Sequence, residues 1–156
     1  MQKSIPPPQF WWTDDAAEWA AAQLGLPYND AMQDWPWEVA ETNDLERYFQ
    51  LYSRLEPHAA ASVRIVVLEL ILEAASNGTL STAEFQAVWP RINTLLVQDA
   101  DSLASTAMYW CCWQMTEQDV EDYAFRVTPY LREWWRATYP IPTEAERMNR
   151  GGLVGD

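Results

Sequence analysis

An all-α fold is what this sequence predicts, as an antiparallel multi-helix bundle or a short solenoid-like helical stack. Three observations predict it. Helix-start and helix-stop residues recur along most of the chain, apolar residues return at three- and four-residue spacing, and no stretch alternates apolar and polar residues as a strand would. With 156 residues, 49 % of them hydrophobic and ten of them tryptophan, the chain is long enough to bury a core.

The elements follow in order. Thr13 precedes Asp14 and Asp15, acids that suit the positive end of a helix dipole, and an alanine-rich run ends at Gly25 and Pro27. A first helix is therefore expected over Asp14 to Leu24. Pro27 to Thr42 holds Pro36, two tryptophans and several acids, and reads as a loop with at most one turn. Asn43 with Glu46 has the spacing of a capping box for a second helix to about Leu55, its buried stripe being Leu45, Tyr48, Phe49 and Tyr52. Pro57 suits the first turn of a third helix ending near Ser76, where Asn77-Gly78 supplies a left-handed stop. That helix has two apolar faces, Val63, Val66, Val67, Leu70, Ile71 and Ala74 on one and Ile65, Leu68 and Leu72 on the other. It should be central and covered on two sides.

Ser81 with Glu84 is a second capping box, opening a fourth helix that Pro90 should break or kink before the pattern resumes to about Gln98. Asp101 is placed to cap a fifth helix, roughly Ser102 to Met115. Thr116 and Asp119 open a sixth, Thr128-Pro129 interrupts it, and a last helical segment ends near Thr138. No internal repeat is visible. These elements imply one helical domain over 1–139 with a proline-rich arm (1–12) and a loose tail (140–156).

Composition excludes several kinds of chemistry. The formal charge is -13, from 23 acids against 10 lysines and arginines, which opposes contact with nucleic-acid phosphates or an anionic membrane. His58 is the single histidine, so multi-histidine metal sites are impossible. It sits at an expected helix start with no nucleophile or orienting acid at telling spacing, and reads as solvent-facing. No phosphate-cradling glycine loop or nucleophile elbow occurs. The stretch Glu73 to Glu84, EAASNGTLSTAE, matches the second half of a calcium loop but has Ala75 where an oxygen ligand belongs. A helix ending in Asn-Gly followed by a capping box explains the same letters. Adjacent Cys111 and Cys112 read as reduced thiols in a packed helix. No secretory signal and no apolar run long enough to cross a bilayer is present, so a reducing cytoplasm is the expected compartment. No cofactor, no metal and no enzymatic activity are expected.

Surface charge carries the functional reading. Nine acids between Asp14 and Glu46 have no basic residue among them: Asp14, Asp15, Glu18, Asp30, Asp34, Glu38, Glu41, Asp44 and Glu46. Six more, Asp99, Asp101, Glu117, Asp119, Glu121 and Asp122, form a second such tract. Some cap helices and some keep the protein dispersed. Their joint field nevertheless favours capture of a basic protein partner. Trp19, Trp110, Trp113 and Trp134 fit amphipathic patterns and are assigned to the core. Trp35 and Trp37 flank Pro36 in the acidic loop, where they are either interface anchors or rings folded down over the bundle. Trp11-Trp12, beside three prolines, has the same two readings. The expected contact residues are Asp14, Asp15, Glu18, Asp34, Trp35, Trp37, Glu38, Asp99, Asp101, Glu117, Asp119, Glu121 and Asp122.

The segments Asp34-Trp35-Pro36-Trp37-Glu38-Val39-Ala40, Leu45-Glu46-Arg47-Tyr48-Phe49 with Tyr52, and Val63 through Glu73 resemble small acidic helical proteins encoded beside bacterial polymorphic toxins. Those are immunity proteins of Rhs, contact-dependent and type VI secretion systems. The resemblance spans about residues 35–75 and implies an antitoxin that binds one cognate toxin domain and blocks its active site or substrate cleft. Such a partner would present a basic surface. Two other readings stay open, an acidic binding module of another kind (a DNA-mimic inhibitor or adaptor) and a hydrolase using a carboxylate pair.

Overall fold

Residues 3–5 and 12–144 are described by the structure, a computed structural model. Most of the proline-rich arm, with Trp11, and residues 145–156 of the expected tail lie outside the described residues. Among those described, eight α-helices and one 3-10 turn occur and no strand, so the fold is all-α. By contacts the chain divides into two compact units. One is Phe10–Val88 and the other combines Met1–Gln9 with Trp89–Asp156.

In the first unit, α1 (Asp14–Leu24) has the bounds its punctuation predicts. The Thr13 hydroxyl accepts the Ala16 amide at 3.2 Å, and Gly25 ends the helix at φ +68°. Its buried face is Ala16, Ala17, Ala20, Ala21 and Leu24, small residues that let it lie close against its neighbour. Trp19, assigned to the core from sequence, is 36 % exposed because it lies off that face. α2 (Trp35–Val39) is the single turn allowed for in the acidic loop. A 3-10 turn, Thr42–Asp44, leads into α3 (Leu45–Ser53). The expected stripe of Leu45, Tyr48, Phe49 and Tyr52 is buried. α4 (Ala61–Ser76) packs against α1, α2 and α3, and every residue from Arg64 to Leu72 is buried. It is the central helix that its two apolar faces foretell.

α4 starts at Ala61, not at Pro57, because the Arg64 side chain holds residues 56 and 57 in a turn. The buried Arg64 guanidinium donates to the Glu56 carbonyl at 2.7 Å and the Pro57 carbonyl at 3.2 Å. His58 lies in that turn, exposed. At the other end of α4, Gly78 takes the left-handed conformation at φ +86°. Ser81 and Glu84 then exchange the two capping-box hydrogen bonds: the Ser81 amide donates to the Glu84 carboxylate at 2.9 Å, and the Glu84 amide to the Ser81 hydroxyl at 3.1 Å. The Thr42 hydroxyl lies between the Ala74 carbonyl, at 2.8 Å, and the Asn77 side-chain oxygen. The Asn77, Ser81 and Glu84 side-chain oxygens of the calcium-like stretch thus have structural tasks.

α5 (Thr82–Gln98) runs through Pro90 without the expected break. Gln86, whose carbonyl would have accepted the missing Pro90 amide, is exposed, so water can satisfy it. The division between the units falls inside this helix, between Val88 and Trp89. In the second unit, α6 (Ala100–Trp110) ends earlier than Met115 and starts before Asp101, which lies exposed in its first turn. The Cys111 and Cys112 thiols are free and buried, though they sit in the turn after α6 rather than within a helix, and Cys112 has φ +53°. α7 (Glu117–Tyr123) is capped by Thr116, whose hydroxyl accepts the Asp119 amide at 3.1 Å. α8 (Thr128–Thr138) packs on α6. Trp135 donates to the Pro140 carbonyl at 2.7 Å, and Pro142 is buried. The Lys3 amide donates to the Thr138 carbonyl at 2.9 Å.

Candidate functional site

Where the cations go decides what the surface presents. Arg47 reaches the Leu24 carbonyl at the end of α1, 2.6 Å away, and Arg64 holds the 56–57 turn. Arg132, 3 % exposed, donates to the carbonyls of Cys111 (2.7 Å), Cys112 and Met115 (3.1 Å) and stands over the Trp113 ring at 4.7 Å. Carbonyls at helix ends lack intrahelical donors, and a guanidinium fork supplies several at once. Three arginines are therefore engaged in joining backbone, while most acids of the two tracts stay exposed.

On the first unit, Asp14, Asp15, Glu18, Asp34 and Glu38 are all exposed. The structure brings most of them together. Tyr28 packs edge-on to Trp35, with ring centres 6.4 Å apart. Its hydroxyl is pushed above its ordinary pKa by lost hydration, then by Asp14, Asp30 and Glu18. Asp34 is raised by lost hydration and then by the charge of Glu38. Glu73, half-buried on α4, is pushed up to about 7 by burial and then by Asp34. Glu73 belongs to this surface, and its place in an apolar helix gave no sign of it.

The tryptophan pair separates. Trp35 is fully buried and its indole N–H donates to the Pro27 carbonyl at 2.7 Å, so it is a core residue and not the contact expected. Trp37, two residues on and thus on the other side of the single turn, is 66 % exposed between Asp34 and Glu38. Among the described residues Trp37 is the most exposed large apolar side chain, and it stands in an acidic surface. The second tract lies on the other unit. Glu117 is engaged with Arg136 at 2.8 Å and Arg132 at 3.4 Å, so part of its role is internal. Asp119, Glu121 and Asp122 are exposed on α7, Asp122 accepting from Gln118 at 3.1 Å. Asp99 and Asp101 lie at the start of α6.

Glu73 makes stability of the first unit depend on pH. Its folded pKa lies above the model-peptide value of 4.5, so the folded state holds the proton more tightly. Its contribution is fully present below about 4.5 and is lost as pH rises to about 7. Glu73→Gln is expected to flatten this slope and to stabilise the protein at pH 8 by about 1 kcal/mol, allowing for the solvent that still reaches the group. Urea midpoints of both forms at pH 5 and pH 8 check this; parallel shifts of the two proteins would refute it.

Among the described residues no helix is long and apolar enough to cross a membrane, and no group of three or more His, Cys, Asp or Glu is placed to hold a metal ion. No protein-family model, curated protein or solved structure matches the chain.

Proposed function

We propose that this protein is an immunity protein, a cytoplasmic, non-enzymatic inhibitor that binds a cognate bacterial toxin domain of Rhs, contact-dependent or type VI type and occludes its active site or substrate cleft. The observation that carries the reading is Trp37, 66 % exposed and flanked by Asp34 and Glu38 on a surface with no basic residue between positions 14 and 46. An exposed tryptophan ringed by charge has the make-up of an interface hot spot. The acids steer it toward a basic cleft of the sort that otherwise receives phosphates. Burial of Arg64 and Arg132 keeps opposing charge away from the surface.

The test is co-expression with the product of the adjacent gene. Rescue of growth, lost on Trp37→Ala, is expected; no rescue and no complex on a sizing column would end the proposal. Inhibition of many unrelated DNA-binding proteins would favour a DNA mimic instead. The hydrolase reading has one observation in its favour, Glu73 raised to about 7 beside Asp34, as an acid–base pair requires. A Glu73→Gln variant that still protects cells would exclude it.

A further inference from the structure

A furrow runs along the second unit, whereas Trp37 belongs to the first. Trp89 and Val97 of α5 stand on one side, and Tyr130, Trp134 and Ala137 of α8 on the other, around a hollow of about 440 Å³. The Trp89 and Tyr130 rings meet at one end, 5.4 Å between centres. Val97 is 63 % exposed, an unusual position for an aliphatic side chain beside a hollow. Two smaller hollows of about 250 Å³ each continue past Val97, the last edged by Asp99 and Asp101. Glu133 lines the first. Among the described residues Lys3 is the basic residue on these walls, against Glu133, Asp99 and Asp101.

We infer that this furrow is a second docking site and takes an amphipathic helix of a basic protein. Trp89 to Val97 spans about 12 Å along α5, which two turns of a partner helix match with apolar residues at i, i+4 and i+7. Aromatic walls favour aliphatic and cationic side chains alike. The carboxylates along these walls select lysine or arginine flanks. A second copy of this chain is disfavoured as the occupant, because each copy carries -13.

The probe is a fluorescein-labelled helical 14-residue peptide with leucine at i, i+4, i+7 and i+11 and lysine on its other faces. Its control has the same composition with leucines spread around the helix. Fluorescence anisotropy at about 150 mM salt, where the Debye length is about 8 Å, keeps non-specific charge attraction small. The patterned peptide is expected to bind at least tenfold more tightly than the control. Ala137→Phe, which fills the furrow from an exposed position, should weaken it at least tenfold, and Val97→Ser severalfold, while Trp37→Ala leaves it unchanged. Equal binding of both peptides, or indifference to Ala137→Phe and Val97→Ser together, overturns the inference. So does a dimer in sedimentation that Ala137→Phe dissociates, since the occupant is then a second copy.

Discussion

Arg132→Met is expected to destabilise the second unit by about 3–5 kcal/mol, the range for leaving buried polar groups without their charged donor. The side chain starts on α8 and ends among the carbonyls of Cys111, Cys112 and Met115. Those carbonyls belong to the turn that ends α6, where Cys112 holds φ +53°, a conformation that costs a non-glycine residue roughly 1–2 kcal/mol. One guanidinium therefore terminates a helix, holds a strained turn and ties both to α8. The Glu117 carboxylate contributes little, because it is 75 % exposed and its pair with Arg132 is 3.4 Å long. Glu117→Gln should cost below about 1 kcal/mol. Arg132→Lys should lose much of the wild-type stability as well, since an ammonium lacks the planar fork. Urea unfolding followed by near-ultraviolet circular dichroism of the tryptophans checks the series. If Glu117→Gln proved as damaging as Arg132→Met, the ion pair rather than the carbonyl clamp would hold the turn.

Ile71→Ala should cost the first unit about 2–5 kcal/mol, the range for removing a large aliphatic side chain from a fully enclosed site. Ile71 is fully buried, on a helix that packs against α1, α2 and α3. With three helices fixed around it, little can collapse into the space. Ile71→Leu, which keeps the volume, should cost less than about 1.5 kcal/mol. Similar losses for the two variants would mean that shape rather than cavity volume governs this core. A single-transition fit is appropriate only if both units unfold together, so the probe should report on residues 10–88.

What could be read from the sequence was what short-range chemistry decides. Thr13 and Gly25 delimit α1 because a cap and a left-handed stop each act within a few residues. Ser81 and Glu84 meet for the same reason, and α4 is central because its apolar residues cover two faces. The misses are side chains that reach backbone carbonyls beyond a helical turn. Arg132 meets carbonyls 17 to 21 residues away, and a carbonyl has no residue signature to search for. Trp35 is buried against the Pro27 carbonyl, eight residues back, so the Trp-Pro-Trp letters alone did not distinguish the ring that turns in from the ring that turns out. α4 begins late because Arg64 grips the turn before it. Of the candidate site, the acidic stretch and Trp37 were legible, whereas Glu73 was hidden inside an apolar helix and shows itself only when α2 is placed beside it.

The central claim is that the acidic face around Trp37 binds a basic toxin domain. Isothermal titration of the full chain, and of its Trp37→Ala variant, into the purified toxin domain encoded beside it tests this most directly. The expected result is a one-to-one complex that weakens at least 30-fold in Trp37→Ala, about 2 kcal/mol, and that also weakens as salt is raised. A complex of equal strength in the wild type and the variant, or no heat at all, would contradict it.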